Sequence, residues 1–312
     1  MRLFDLHCDT LTECYRRGVS LGWNDRHIDL ARGRRYAPWG QVFAVFIPDT
    51  MRGYEAFRFC CRVLEFARQQ EARFPQQLAW VTTAEQLREA VKRKRCAGIL
   101  AVESAAAVAG DVHNIEHLAS CGVRVMTLTW NGENEWGGGC ATQSGLTAFG
   151  KSGVKELHRV GIVPDVSHLS ESGFWDVASL SERPFIASHS VCRAVHDHPR
   201  NLNDEQVREI VRRGGLIGLN FCEAQLGEAS EERIYRHLSH LLSLGAERNV
   251  AFGGDLDGCD LPVNWHGIAF YERLLSYLLS RGISERQLNG LFFQNAFDFF
   301  DNTLQFEKSA VQ

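Results

Sequence analysis

The chain opens with the sequence FDLHCDT at residues 4–10, a short apolar run that ends in polar residues. Such a run predicts a β-strand, and on a strand the residues i and i+2 share a face. His7 and Asp9 can therefore bind one metal ion from the end of this strand. Taken alone, the pair favours an ordinary strand end over a metal site, so the metal interpretation depends on the rest of the chain.

Seven further β-rich runs follow, and helical patterns separate them along the whole length. Strands that alternate with helices are typical of a parallel sheet, and eight of them predict a closed (β/α)8 barrel of the TIM type, with residues 1–312 as a single domain. An open doubly wound sheet is the alternative, but it calls for a glycine-rich turn after an early strand, where this chain has HCDT. The predicted strands are 3–6, 42–46, 98–102, 123–128, 161–166, 184–187, 216–221 and 250–253.

The composition is that of an ordinary globular protein, with 312 residues, 45% of them hydrophobic, and a net charge of -4. The basic run at residues 92–95 ends a predicted helix, which favours a solvated helix end over a nucleic-acid site. The absence of an apolar leader and of a membrane-length run predicts a cytoplasmic protein with no membrane partner. None of the ten cysteines forms a C-x-x-C pair, so we expect reduced thiols rather than disulfides or a zinc finger.

Polar residues follow five of the eight predicted strands, at the barrel face where active sites of this fold lie. Each could be a hydrogen-bonded filler or a helix cap, but five such coincidences are less easily explained. Imidazole and carboxylate groups together suit Zn²⁺, and a glutamate between two histidine-bearing groups can bridge two ions. Two ions would deprotonate a shared water near neutral pH. The residues are His7 and Asp9, then Glu103, then 165–168, then 188–190, then Asp255 and Asp257.

Seven sequence blocks resemble the membrane (renal) dipeptidase family of the metal-dependent amidohydrolase superfamily. They occur in the family's order between residue 3 and about residue 258. The blocks are DLHCDT at 5–10, LTWN at 128–131, GLTAFG at 145–150, DVSH at 165–168, SHS at 188–190, PRNL at 199–202 and GGDLDG at 253–258.

The resemblance implies a zinc-dependent hydrolase that cleaves the peptide bond of dipeptides and forms a homodimer. It leaves open whether the substrates include dipeptides with a C-terminal D-residue. One zinc would be held by His7, Asp9 and Glu103, and a second by Glu103, His168 and His189. Glu103 and a water or hydroxide would bridge the two ions. Asp255 would be the proton shuttle, and Arg200 would bind the substrate's terminal carboxylate through a forked pair of hydrogen bonds.

Two departures from the family pattern affect the substrate pocket. Trp130 stands where the family commonly has a histidine, so we predict that Trp130 and the adjacent Asn131 line a modified pocket. Residues 104–107 are SAAA in place of the usual glycine-rich sequence after the bridging glutamate. Residues 133–136 are predicted either as pocket wall or as a polar surface turn. Two other functions stay open: hydrolysis of a cyclic amide or β-lactam, and metal binding without turnover.

Overall fold

The computed structural model describes residues 1–305, and parallel β-strands form its centre. Each of the eight predicted strands is present, although several are shorter than predicted, because helix ends and turns take up their outer residues. The strands are β1 Leu3–Cys8, β2 Trp39–Phe46, β3 Leu78–Trp80, β4 Cys96–Glu103, β5 Val123–Thr127, β6 Val163–Asp165, β7 Ile186–Ala187, β8 Leu216–Leu219 and β9 Val250–Phe252.

Eight strands close into a barrel, as the sequence predicts. Strand β1 pairs with both β2 and β9, the remaining strands follow in order, and β2 pairs with β4 to close the ring. The ninth strand, β3, lies outside the ring and pairs with residues 96–98 of β4. The sequence analysis missed β3 because three residues are too few to produce a periodic pattern.

Helices surround the barrel, and the predicted cap at Asn203 is present as a capping box with Gln206 at the start of the eighth helix. Among residues 1–305, no helix is both long and apolar enough to cross a membrane. The helices are α1 Thr10–Arg17, α2 Leu30–Gly33, α3 Gly53–Arg73, α4 Ala84–Lys92, α5 His113–Ser120, α6 Ala148–Val160, α7 Glu171–Leu180, α8 Asp204–Arg212, α9 Glu223–Leu226, α10 Glu231–Ser243, α11 Phe270–Ser280, α12 Glu285–Asn289 and α13 Asn295–Thr303. Shorter helical turns are Arg34–Tyr36, Ala105–Val108, Ala246–Arg248, Val263–Trp265, Gly267–Ala269 and Gly290–Gln294.

Two apolar layers form the core. One layer contains alternate strand residues such as Phe4, Val42 and Ile99 together with α13, and the ring of Phe300 stacks on Phe4 with centroids 5.5 Å apart. Helix α13 therefore closes the amino-terminal end of the barrel. The other layer packs the outer faces of the strands against the surrounding helices. All ten cysteines are free thiols, and five of them are buried, which agrees with the sequence prediction.

The carboxyl ends of the strands depart from regular geometry where the predicted site residues lie. The register of β1 against β2 shifts between Asp5 and Cys8, and Asp9 is the N-cap of α1 rather than a strand residue. The premise that His7 and Asp9 share a strand face is therefore wrong, although the two side chains do converge. Ser104, His168 and Asp255 have positive φ angles of 79°, 67° and 55°. Such backbone strain in non-glycine residues is concentrated at functional sites.

Candidate metal centre

Five side chains, here called the donor cluster, meet at the carboxyl ends of the strands. Glu103 is in the middle, and its two carboxylate oxygens face different histidines. Its Oε1 atom lies 3.0 Å from Nε2 of His168 and 3.6 Å from Nε2 of His189, whereas its Oε2 atom lies 3.4 Å from Nε2 of His7. The donor cluster consists of His7, Asp9, Glu103, His168 and His189, the five residues predicted as metal ligands.

The distances within the donor cluster match those between ligands of one ion. With metal–nitrogen and metal–oxygen bonds of about 2.0–2.2 Å, two ligand atoms of a tetrahedral ion are about 3.4 Å apart. The Nε2 atoms of His168 and His189 are 2.9 Å apart, and both are close to Glu103 Oε1. These two histidines with that oxygen form what we call the β7 half of the cluster.

The other side of Glu103, here called the β1 half, contains His7 and Asp9. Ligand atoms of His7, Asp9 and Asp255 lie within 4.8 Å of one another, and those of His7, Glu103 and His189 do so as well. Gly258 allows the close approach of the two aspartates, because a Cβ atom there would lie 2.2 Å from Asp255 Oδ1 and 2.3 Å from Asp9 Oδ2.

Buried atoms without a partner indicate that the donor cluster suits a cation. His7 Nε2, Asp9 Oδ1 and Glu103 Oε2 are buried and make no hydrogen bond within the described chain, a costly arrangement for polar atoms. Burial alone would lower the pKa of His7, but Glu103, Asp9 and Asp255 raise it to about 10. The acidic surroundings thus favour a proton on His7, at the place where a metal ion would supply the positive charge. The donors fit a divalent ion of the zinc type.

The histidines of the β7 half are held in the tautomer that a metal ligand needs. Burial lowers the pKa of His168 to about 4 and also lowers that of His189. His168 Nδ1 donates to Asn131 Oδ1 at 2.8 Å. His189 Nδ1 donates to the Ser188 hydroxyl at 2.8 Å, and that hydroxyl donates to Asp165 Oδ2 at 2.6 Å. Both Nε2 lone pairs are therefore free for a metal.

Two residues beside the cluster have partners that bear on chemistry. Asp255 Oδ2 accepts a hydrogen bond from Asn220 at 3.3 Å, and its Oδ1 faces His7 at 3.9 Å. Burial raises the pKa of Asp255, the direction that a proton-accepting carboxylate requires. Arg200 is only 7% exposed, and its Nη2 donates to the carbonyl oxygen of His189 at 3.3 Å. Among residues 1–305, no carboxylate lies within ion-pair distance of Arg200, and its Nε atom is unpartnered.

A cavity of about 700 Å³ opens above the donor cluster, a size suited to a small molecule. Every predicted substrate-binding residue lines it, namely Trp130, Asn131 and Arg200. The indole of Trp130 packs edge-on against Phe46, with ring centroids 5.3 Å apart, and lies 6.1 Å from the ring of His168. Asn131 also lines the cavity, but its side-chain oxygen accepts the hydrogen bond from His168 Nδ1.

The prediction of residues 133–136 as pocket wall is wrong. Trp136 is fully buried against Phe149, and Asn134 closes a turn with the carbonyl oxygen of Leu128. Glu133 accepts a hydrogen bond from Ser144 on the surface. The alternative, a polar turn, describes residues 133–135 better, whereas Trp136 belongs to the hydrophobic core. The sequence analysis did not identify Cys222 and Cys259 as residues that line the cavity. A single cysteine in a sequence does not indicate where its side chain lies in the fold.

Two buried aspartates behind the cluster were given no role by the sequence analysis, although Asp165 lies in the strand-end segment 165–168 named there. Asp5 accepts hydrogen bonds from the amides of His7 and Gly254 and from the side chains of Gln41 and Tyr271. Asp165 has four donors as well, described below. Each aspartate lies in an apolar strand, where a carboxylate is rare without partners, and that anomaly is the sequence signal that could have identified them.

The fold and the donor cluster define a metal-dependent hydrolase built on a (β/α)8 barrel. The sequence model of the family described as Membrane dipeptidase (Peptidase family M19) matches residues 1–311. The chain belongs to this family and is a metallo-dipeptidase.

Two solved structures agree with this assignment, and one curated protein is similar in sequence. A metallopeptidase from Rhodobacter sphaeroides, liganded with a phosphinate mimic of the dipeptide L-Ala-D-Ala, is 26% identical with a TM-score of 0.91, over 97% of this chain and 99% of that one. Dipeptidase AC, a metallopeptidase of family M19, is 28% identical with a TM-score of 0.92, over 98% and 99% of the two chains. An uncharacterized protein in the pqqA 5' region of Klebsiella pneumoniae is 32% identical over 219 residues, or 65% of this chain and 81% of that protein.

Proposed function

We propose that the protein is a dinuclear zinc dipeptidase in which Glu103 bridges the two ions. The observation that carries this proposal is that the two Glu103 oxygens contact different histidines, with Oε2 near His7 and Oε1 near His168 and His189. A carboxylate serving one ion would not need donors on both sides. Two zinc ions, when bound, would lower the pKa of a shared water and polarise the scissile carbonyl.

Asp255 is proposed as the proton shuttle. It is buried beside His7, its pKa is raised by burial, and Asn220 holds one of its oxygens. A carboxylate in this position can accept a proton from the attacking water and transfer it to the amine that leaves. The fixed orientation of its side chain keeps the Oδ1 atom directed at the donor cluster.

Arg200 is proposed to bind the terminal carboxylate of the dipeptide. A buried guanidinium without an acidic partner is costly, and a substrate carboxylate would complete its hydrogen bonds. The test compares a dipeptide with its C-terminal amide. Wild-type protein should prefer the free acid in kcat/KM, and Arg200→Lys should lose most of that preference because ammonium cannot form the forked pair. Arg193→Lys, in the same loop but outside the cavity, is the control. Equal kcat/KM for acid and amide would remove this role.

Dipeptides with a C-terminal D-residue are proposed as a further substrate class. The Rhodobacter sphaeroides relative is liganded with a mimic of L-Ala-D-Ala, and we extend that substrate class to this chain. A panel of L,L and L,D dipeptides, with zinc-loaded protein, tests the dipeptidase function directly. Cyclic amides and β-lactams belong in the same panel, because their hydrolysis needs the same metals. Turnover of those compounds without turnover of any dipeptide would contradict the proposal.

Trp130 is proposed as a wall that selects the substrate. It replaces the histidine expected from the family pattern, and its ring occupies the cavity between Phe46 and His168. An indole has one neutral N–H, whereas a histidine can donate a hydrogen bond to the oxyanion and carry charge. If selection is its role, Trp130→His will lower activity on the best substrate found. If the missing donor limits turnover instead, the same variant will raise kcat on small dipeptides, by up to the roughly 2.7–4 kcal/mol that one oxyanion donor is worth.

A further inference from the structure

Two thiols and an imidazole form a cluster on the outside of the barrel, away from the cavity. Cys61 comes from α3, His117 comes from α5, and Cys121 is the C-cap of α5. The Nε2 atom of His117 lies 3.8 Å from the sulfur of Cys61 and 3.6 Å from the sulfur of Cys121. One ring nitrogen thus lies beside two sulfurs that come from different helices.

Helix geometry accounts for this meeting. His117 and Cys121 are four residues apart, a spacing that puts both on one face of α5. On α3, Phe57 and Cys61 have the same spacing, and the ring of Phe57 packs against His117 with centroids 5.5 Å apart. This contact orients the imidazole. Glu65, one further turn along α3, faces the same cluster, since its charge adds to burial in raising the pKa of the Cys121 thiol.

We infer that Cys61, His117 and Cys121 form a surface site for a thiophilic divalent cation such as Zn²⁺ or Cd²⁺, separate from the donor cluster. With zinc–nitrogen bonds of about 2.0–2.1 Å and zinc–sulfur bonds of about 2.3 Å, the nitrogen–sulfur edge of a tetrahedral site is about 3.6 Å. The two nitrogen–sulfur distances of 3.8 and 3.6 Å are close to this value. Thiolate and imidazole donors favour zinc-like ions over magnesium or calcium.

The ion would connect two helices across the barrel surface. His117 and Cys121 are exposed, so their side chains can rotate to bring the two sulfurs together around the ion. The fourth position is available to water, because both oxygens of Glu65 accept hydrogen bonds from Arg68. Helix α3 packs against the turn Ala105–Val108, which follows Glu103 in the chain. Because the ion would bind the folded chain, it should raise the midpoint temperature of thermal unfolding, and the increase should grow with cation concentration.

The experiment uses zinc-loaded holoenzyme, titrated with Cd²⁺ in the presence of a phosphine reductant. We expect one additional ion per chain, with a thiolate-to-cadmium charge-transfer band in the ultraviolet and no release of the catalytic zinc. Cys61→Ser and Cys121→Ser should abolish most of the band, and His117→Asn should weaken binding by more than about tenfold. Dipeptidase activity should be unchanged in all three variants. The matched control is the triple variant Cys140→Ser, Cys222→Ser and Cys259→Ser, which removes the three thiols that line the cavity and should retain the band.

Three results would overturn the inference. The first is the absence of any additional ion under reducing conditions. The second is a cadmium band that survives Cys61→Ser but disappears in the control, which would assign the binding to the cavity thiols. The third is a Cys61–Cys121 disulfide formed in air whose reduction restores two thiols but no cadmium binding. None of these results depends on the proposed dipeptide substrate, because the readout is metal stoichiometry and spectroscopy.

Discussion

The two halves of the donor cluster are supported by the same device, a buried aspartate that accepts four hydrogen bonds, but the two networks end in different places. Asp5 lies behind the β1 half, and Asp165 lies behind the β7 half. Each accepts the amide N–H of the residue two positions later, at 3.0 Å in both cases. Each also ties its own strand to neighbouring strands.

The remaining donors differ. Asp165 receives the amide of Ser188 at 2.9 Å, the hydroxyl of Ser188 at 2.6 Å and the hydroxyl of Thr127 at 2.6 Å. Because the same Ser188 hydroxyl accepts from the ring of His189, this network reaches a predicted metal ligand directly. Around Asp5, the side-chain donors are Gln41 on β2 and Tyr271 on α11.

The comparison teaches that one motif can serve two tasks. The Asp165 network sets the tautomer of a ligand and so should control metal affinity. The Asp5 network contacts His7 through its backbone and joins β1, β2, β9 and α11, so it should control the stability of the barrel. Burial raises the pKa of Asp5, and its four donors oppose that shift.

The largest effect is expected from Glu103→Ala, because this change removes a donor from both halves at once. Wild-type protein reconstituted with zinc should contain about two ions per chain. The variant should contain fewer than one, and its kcat/KM should fall by about 10³-fold or more, since metals supply several kcal/mol of transition-state stabilisation. Elemental analysis gives the ratio, and Glu182→Ala on the surface is the control. A wild-type ratio near one, or a ratio unchanged in Glu103→Ala, would disprove a dinuclear site.

A smaller effect is expected from Asp255→Asn, which lies beside the β1 half but is assigned to proton transfer. The variant should keep its metals and lose about 10²-fold or more in kcat. Asp260→Asn changes an exposed carboxylate of the same loop and should leave kcat unaltered. Near-normal turnover would refute the shuttle, and loss of a metal ion would make Asp255 a ligand of the β1 half.

The two supporting networks are separated first by Ser188→Ala. Without the hydroxyl, Nδ1 of His189 loses its acceptor, and the zinc affinity of the β7 half should fall by about 10–100-fold. Competition with a chelator measures this affinity. Ser179→Ala, which removes an exposed hydroxyl on α7 that donates only to the carbonyl oxygen of Asp176, is the control. Unchanged zinc affinity in Ser188→Ala would show that the Asp165 network does not tune the ligand.

The smallest effect is expected from Tyr271→Phe on the Asp5 side. The free energy of unfolding should fall by about 1–3 kcal/mol, because a buried carboxylate loses a donor, while zinc content stays the same. Denaturant unfolding at fixed zinc concentration measures the change. Tyr36→Phe, whose hydroxyl donates to the carbonyl oxygen of Ile268 at 2.8 Å, removes a bond to a neutral group and should cost about 1 kcal/mol. If Tyr271→Phe lost zinc, the Asp5 network would control metal affinity as well, and the proposed difference in task between the two networks would be wrong.

Local signals in the sequence were sufficient for the eight barrel strands, because each strand is an apolar run bounded by helix caps or glycines. They also predicted that polar residues meet at the carboxyl ends of the strands, because a parallel barrel brings those ends together, whereas the choice of the five residues of the donor cluster came from the resemblance to the family. The wrong or missing predictions concern segments whose local sequence does not fix their position in the fold. The three-residue strand β3 has no period, and the polar residues 133–136 fit a pocket wall and a surface turn equally well.

The sequence by itself thus determined the barrel, the residue types at its strand ends and the family to which the chain belongs. Only the tertiary structure decided the direction of each Glu103 oxygen, the position of Asp9 beyond the end of its strand, and the different partners of Asp5 and Asp165. It alone also joined Cys61 to His117, which lie 56 residues apart in the chain. The physical reason is that these features are contacts between separate elements, whose distances depend on barrel closure and helix packing rather than on any local run of residues.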